Sequence, residues 1–165
     1  MTTTTKTNVN TLMFRVYIKA SAEAIWEAIT DPEWNQRYGY QTPADYDLRP
    51  GGAYRAVPSP AMAEFGAPEV IIEGEVLESD PPRRLVQTWH ALFNPEAAAE
   101  GFTRVTWEID EQGPGINRLT VTHELEGAPA SLTLVSGATS DAGGGWSWIL
   151  SDLKSLLETG QSLAG

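Results

Sequence analysis

The sequence predicts an α+β domain in which an antiparallel sheet is closed by a long C-terminal helix. Two observations carry that reading. The stretch Gly143-Gly-Gly-Trp-Ser-Trp-Ile-Leu-Ser-Asp-Leu-Lys-Ser-Leu-Leu-Glu-Thr-Gly160 sets Trp146, Ile149, Leu150, Leu153 and Leu157 on one helical face, with Gly160 as its stop. Upstream, residues 70–78, 84–93, 102–110 and 116–125 read as strands, broken by Asp80-Pro-Pro82 and Gly113-Pro-Gly115. A long apolar helix across such a sheet leaves room for a cavity between the two.

The remaining elements follow from local signals. Leu12 to Lys19 reads as the first strand. Ser21 caps a helix over residues 22–30, with Glu23 in its first turn and Ile25, Ile29 and Trp26 directed inward. Asp31-Pro32 repeats the cap-then-proline signal and starts a short helix carrying Trp34. Tyr46 to Gly52 is a strand end and turn, and Ala53 to Val57 a short strand. Ser59-Pro60 to Gly66 and Asn94-Pro95 to Gly101 each carry cap, N1 proline and terminal glycine, so both are expected as short helices. Residues 128–142 are either loop or weak helix. No internal repeat or linker divides the chain, so residues 11–165 are expected to form one domain behind a disordered tail of residues 1–10.

Composition narrows the function. Eleven basic against twenty-two acidic residues give a net charge of −11 over 165 residues. Phosphate binding needs a basic face, so nucleic acid is not an expected partner. Anionic membrane surfaces repel the chain, and no apolar run is long enough to span a bilayer. The absence of cysteine excludes thiolate catalysis, disulfides and cysteine-ligated metal. The start, Met1-Thr-Thr-Thr-Thr-Lys-Thr-Asn, lacks the apolar core of a secretory signal, and a cytoplasmic location is expected.

Alternation along the strands assigns faces. Val105, Trp107 and Ile109 share one side. Leu119, Val121, His123 and Leu125 share another, as do Leu85, Gln87 and Trp89, and Val70, Ile72, Gly74 and Val76 oppose Ile71, Glu73, Glu75 and Leu77. Gln87 and His123 therefore stand as polar groups on apolar faces. A buried polar group costs about 1–3 kcal/mol unless paired, so each requires a protein partner, a water or a ligand. Trp89, Trp107 and Trp146 converge on the gap between sheet and helix, either as core or as cavity wall. Tyr38, Tyr40 and Tyr54 are placed near its rim. The expected ligand-binding set is Tyr38, Tyr54, Gln87, Trp89, Trp107, His123, Trp146, Leu150 and Leu153.

Familiar catalytic signatures are missing. Neither histidine has a metal-ligand neighbour at helical spacing, so no metal or cofactor is expected. Gly145-Trp-Ser147-Trp-Ile149 matches only half of a serine nucleophile elbow. Gly143-Gly-Gly145 lacks the lysine of a phosphate loop and reads as a close-packing or entrance feature. The carboxylate pairs Glu73/Glu75 and Glu23/Glu27 read as solvated faces.

Several strings together resemble one family. They are Ile18-Lys-Ala-Ser-Ala-Glu-Ala-Ile-Trp-Glu-Ala-Ile-Thr-Asp-Pro32, Leu48-Arg-Pro-Gly-Gly52, Gly74-Glu-Val-Leu-Glu-Ser-Asp-Pro-Pro82, Leu85-Val-Gln-Thr-Trp89, Arg118-Leu-Thr-Val-Thr-His123 and Gly145-Trp146 with the helix behind it. Over about residues 12 to 160 the chain resembles the helix-grip fold of the START-like, or SRPBCC, superfamily, which includes the birch-pollen allergen and polyketide cyclases. Within it, the chain is similar to the group named for activators of the heat-shock ATPase chaperone. The resemblance implies a seven-stranded antiparallel sheet gripping the last helix around a hydrophobic cavity. The strings are turns and packing positions, so the resemblance transfers no catalytic residue.

Three functions remain open at this stage. The leading one is binding of a small hydrophobic or aromatic ligand. The second is a cyclase, aromatase or hydrolase with His123 as acid or base and Gln87 or a tyrosine as donor. The third is a stress-response role in contact with a chaperone, and it rests on resemblance. A homodimer paired through a strand edge near Ala53 is also open.

Overall fold

Ser21 Oγ accepts the Ala24 N–H at 3.1 Å, and helix α1 (Ala22–Thr30) begins where its cap directs. The same logic recurs along the chain. Asp31 caps α2 (Pro32–Asn35), Ser59 caps α3 (Pro60–Glu64) and Asn94 caps α4 (Pro95–Glu100), each with proline in the first turn. The computed structural model describes residues 10–137 and 144–163. Most of the expected N-terminal tail, residues 138–142 of the ambiguous stretch and Gly143 lie outside the described residues.

Seven strands form one antiparallel sheet: β1 (Thr11–Ile18), β2 (Ala44–Tyr46), β3 (Ala53–Ala56), β4 (Ile72–Asp80), β5 (Arg84–Ala91), β6 (Thr103–Gly113) and β7 (Ile116–Glu124). Their spatial order is β1-β7-β6-β5-β4-β3-β2. The segment at Ala53 is therefore interior, flanked by β2 and β4, and the sheet edges are β1 and β2. That corrects the expectation of a free edge near Ala53. Asn10, assigned to the tail, already accepts the Leu125 N–H at 2.6 Å.

One face of the sheet packs on α1 and on the closing helix α6 (Gly145–Thr159). Trp146, Leu150, Leu153 and Leu156 are the buried apolar residues of α6. Leu157 is only half-buried, so the apolar stripe turns by one residue relative to the sequence reading. Complete burial of a leucine such as Leu153 contributes about 2 kcal/mol. The α6 stop is as expected: Gly160 adopts a left-handed φ of 84° and its N–H returns to Leu156 O at 2.9 Å.

The ambiguous stretch holds α5 (Pro129–Ser136), which lacks a capping side chain of its own. Glu100 supplies one from α4. Its carboxylate accepts from Ala130 N, Ser131 N and Ser131 Oγ at 2.7–3.0 Å. Burial pushes this carboxyl up, but the three donors outweigh it and hold it below the usual range. Gly145, at φ 63°, lets α6 approach α5: a Cβ there would lie 2.2 Å from Val135 O.

Alternation fails at two points of β4. Ile71 precedes the strand and is buried, against the outward assignment, and the register shifts between Val76 and Glu78. On the outer face Glu73 is not simply solvated. Its carboxylate pairs with His90 Nδ1 at 3.1 Å, while His90 Nε2 meets Ala98 O at 2.8 Å.

Candidate functional site

Between the sheet and the N-terminal half of α6 lies a cavity of about 580 Å³. Tyr46, Tyr54, Trp89 and Trp107 line it from the strands. Trp146 and Ile149 contribute from α6, and Leu134 and Val135 from α5. Ile29 and the segment holding Tyr38, Gly39, Tyr40 and Thr42 form a further wall. Met62, Phe65, Ala67 and Phe93 lie at the mouth, where Phe65 is 92% exposed. Among the described residues the lining carries no Asp, Glu, Lys, Arg or His. Its volume falls within the range of small-molecule sites.

The wall at residues 38–42 is fastened to α6 by three hydrogen bonds. Gly39 N–H donates to Asp152 Oδ2 at 2.8 Å, Trp148 Nε1 donates to Gly39 O at 3.3 Å, and Gly145 N–H donates to Tyr40 OH at 3.0 Å. Asp152 is buried and also accepts from Leu163 N at 2.5 Å. The sequence reading missed Asp152 because it falls next to the apolar stripe of α6. Its position one residue before Leu153 was the available signal.

Polar groups behind the wall bond to its aromatic side chains. Gln87 Oε1 accepts from Tyr46 OH at 2.6 Å and from Trp107 Nε1 at 3.0 Å. The Tyr46 and Tyr54 rings stack with centroids 4.7 Å apart. Tyr38 OH donates to Ala28 O at 2.8 Å. Burial raises the phenols of Tyr38, Tyr46 and Tyr54 well above their ordinary value, so all three stay protonated as donors.

His123 is held in one tautomer. Trp146 Nε1 donates to Nδ1 at 3.1 Å, so the ring proton sits on Nε2 and points to Thr103 Oγ1 at 2.7 Å. The Thr103 hydroxyl in turn donates a hydrogen bond to Trp89 O at 3.0 Å. Burial lowers the imidazole to about 3, so His123 is neutral at physiological pH.

Five of the nine expected site residues line the cavity: Tyr38, Tyr54, Trp89, Trp107 and Trp146. Tyr38 and Tyr54 are buried in its walls rather than standing at a rim. Gln87, His123, Leu150 and Leu153 do not line it. The two leucines are packed into the core, and the two polar residues lie behind the indoles they bond. With 0% exposure and both nitrogens engaged, His123 has no face to offer a ligand as acid or base. Ser147 is exposed on α6, away from any strand-to-helix elbow. Among the described residues there is no cluster of side chains able to hold a metal, and no helix is long and apolar enough to cross a membrane.

Solved structures share this architecture. CalU16 from Micromonospora echinospora is 22% identical, with 94% of this chain and 69% of that one covered at a TM-score of 0.64. An Hsp90 activator from Plasmodium falciparum is 19% identical over 80% of this chain and 89% of its own, with a TM-score of 0.57. The Aha1 dimer from Colwellia psychrerythraea is 15% identical over 92% and 98%, with a TM-score of 0.63. At these identities the likeness is one of fold. No curated protein matches in sequence. The family description "Activator of Hsp90 ATPase homolog 1-like protein" matches residues 19–158, from the end of β1 to the last turn of α6, and the chain belongs to that family.

Proposed function

We propose that the protein binds a small hydrophobic or aromatic molecule between its sheet and closing helix. The supporting observation is the cavity of about 580 Å³, walled by indole and phenol rings and, among the described residues, free of charged side chains. Filling it with an apolar guest buries aromatic surface at about 25 cal/mol per Å². Behind the wall, Gln87 Oε1 and His123 Nδ1 are already engaged by Tyr46, Trp107 and Trp146. Tryptophan fluorescence titrated with lipids, flavonoids and polyketide-like aromatics tests the reading. Saturable quenching at micromolar concentration supports it, and no response to any of the three classes refutes it.

Family membership favours a second reading, contact with a heat-shock chaperone, since an Hsp90 activator and an Aha1 dimer share the fold. Measuring chaperone ATPase turnover with and without the protein decides it: an unchanged rate removes the proposal. Self-association belongs to the same reading and is checked by sedimentation.

A further inference from the structure

Trp89 differs from the other indoles of this region in one respect. Trp107 donates to Gln87, Trp146 to His123 and Trp148 to Gly39 O. Trp89 Nε1 has no acceptor among the described residues. Trp89 is only 6% exposed and is one of the residues that line the cavity. An indole N–H in an apolar wall gains by meeting an acceptor.

The charge of the wall limits what that acceptor can be. No lining side chain among the described residues is ionised, and the buried phenols stay protonated. A carboxylate brought into the cavity would lose its hydration without gaining a cation, and the net charge of −11 opposes its approach. A ketone or quinone oxygen carries no such cost.

We infer that Trp89 is the specificity-determining residue of the cavity, its N–H selecting uncharged aromatic ligands that carry a carbonyl oxygen. The inference rests on the ligand-binding reading above. It is tested with three planar compounds of one shape: fluorene, 9-fluorenone and fluorenone-4-carboxylate. Affinities are measured for the wild-type protein and for Trp89→Phe, by quenching of the other tryptophans. In the wild type, fluorenone binds about fivefold tighter than fluorene, the worth of one net hydrogen bond. The carboxylate binds weakest. Trp89→Phe removes the preference for the ketone, so that fluorene and fluorenone bind equally to the variant. In nitrogen-resolved NMR of the wild-type protein, the Trp89 indole proton moves downfield with fluorenone and not with fluorene, which secures the test should the variant fold poorly.

Equal wild-type affinity for fluorene and fluorenone overturns the inference and leaves the ligand-binding reading standing. So does a ketone preference that survives in Trp89→Phe. A carboxylate that binds as tightly as the ketone overturns the exclusion of charge. If none of the three binds, this inference is overturned, and the ligand-binding reading is decided separately by the titration with lipids, flavonoids and polyketide-like aromatics.

Discussion

Trp146 donates its indole N–H to His123 Nδ1 over 3.1 Å, tying the first turn of the closing helix to the last strand of the sheet. The bond fixes which ring nitrogen is basic, and the Thr103 hydroxyl completes the chain on the other side.

That chain makes stability depend on pH. The unfolded imidazole titrates near 6.5 and the folded one near 3, so between these values the unfolded state binds the extra proton. Stability is therefore full above about pH 6.5 and falls as the pH drops toward 3, with a slope of up to about 1.4 kcal/mol per pH unit from this group. Urea denaturation from pH 7.5 to 4 measures it. His123→Gln removes this component of the slope.

Replacing His123 by leucine strands the Trp146 N–H. The expected cost is about 2–3 kcal/mol at neutral pH, the penalty of an unpaired buried donor with imperfect repacking. A urea midpoint within experimental error of wild type would contradict this account of the pair.

Glu100→Ala uncaps α5 from a distance. A lost cap costs about 1 kcal/mol, concentrated in one helix. Amide exchange in residues 130–136 accelerates, while β6 and β7 keep their protection. Because the carboxyl is held below its usual range, the cap is intact above about pH 4.5 and is lost as the pH falls through its lowered folded value.

Asp152→Ala removes two acceptor oxygens at once, stranding the N–H donors of Gly39 and Leu163 and loosening the wall at Gly39. The expected loss is about 2–4 kcal/mol, and Asp152→Asn recovers part of it because one oxygen remains. Calorimetric melting of the two variants orders them as wild type, Asn, Ala.

Gly145→Ala puts a methyl group against Val135 O and requires a left-handed backbone that alanine resists. The melting temperature drops by several degrees, as about 1 kcal/mol or more is lost.

Local signals carried most of the fold. Ser21, Asp31, Ser59 and Asn94 each mark a helix start that the chain uses, because a cap acts within three residues of itself. The helix α5 was ambiguous because its cap, Glu100, lies about 30 residues earlier and belongs to another element. The site was legible only in part. Alternation placed Trp89 and Trp107 on the inner side, and it placed Gln87 and His123 there too. Periodicity gives the side of the sheet but not the depth, so the polar pair was assigned to the cavity when it lies behind the indoles. Ile71 was misassigned because the strand begins one residue after it.

Trp107 on β6 and Trp146 on α6 meet edge to face, with centroids 5.2 Å apart and planes 86° apart. Two strong ultraviolet chromophores held this close in a fixed, chiral arrangement couple their electronic transitions. The protein thus carries its own optical gauge of helix docking: a near-ultraviolet dichroic signal, absent from Trp107→Phe, that fades whenever the terminal rod lifts from the strands.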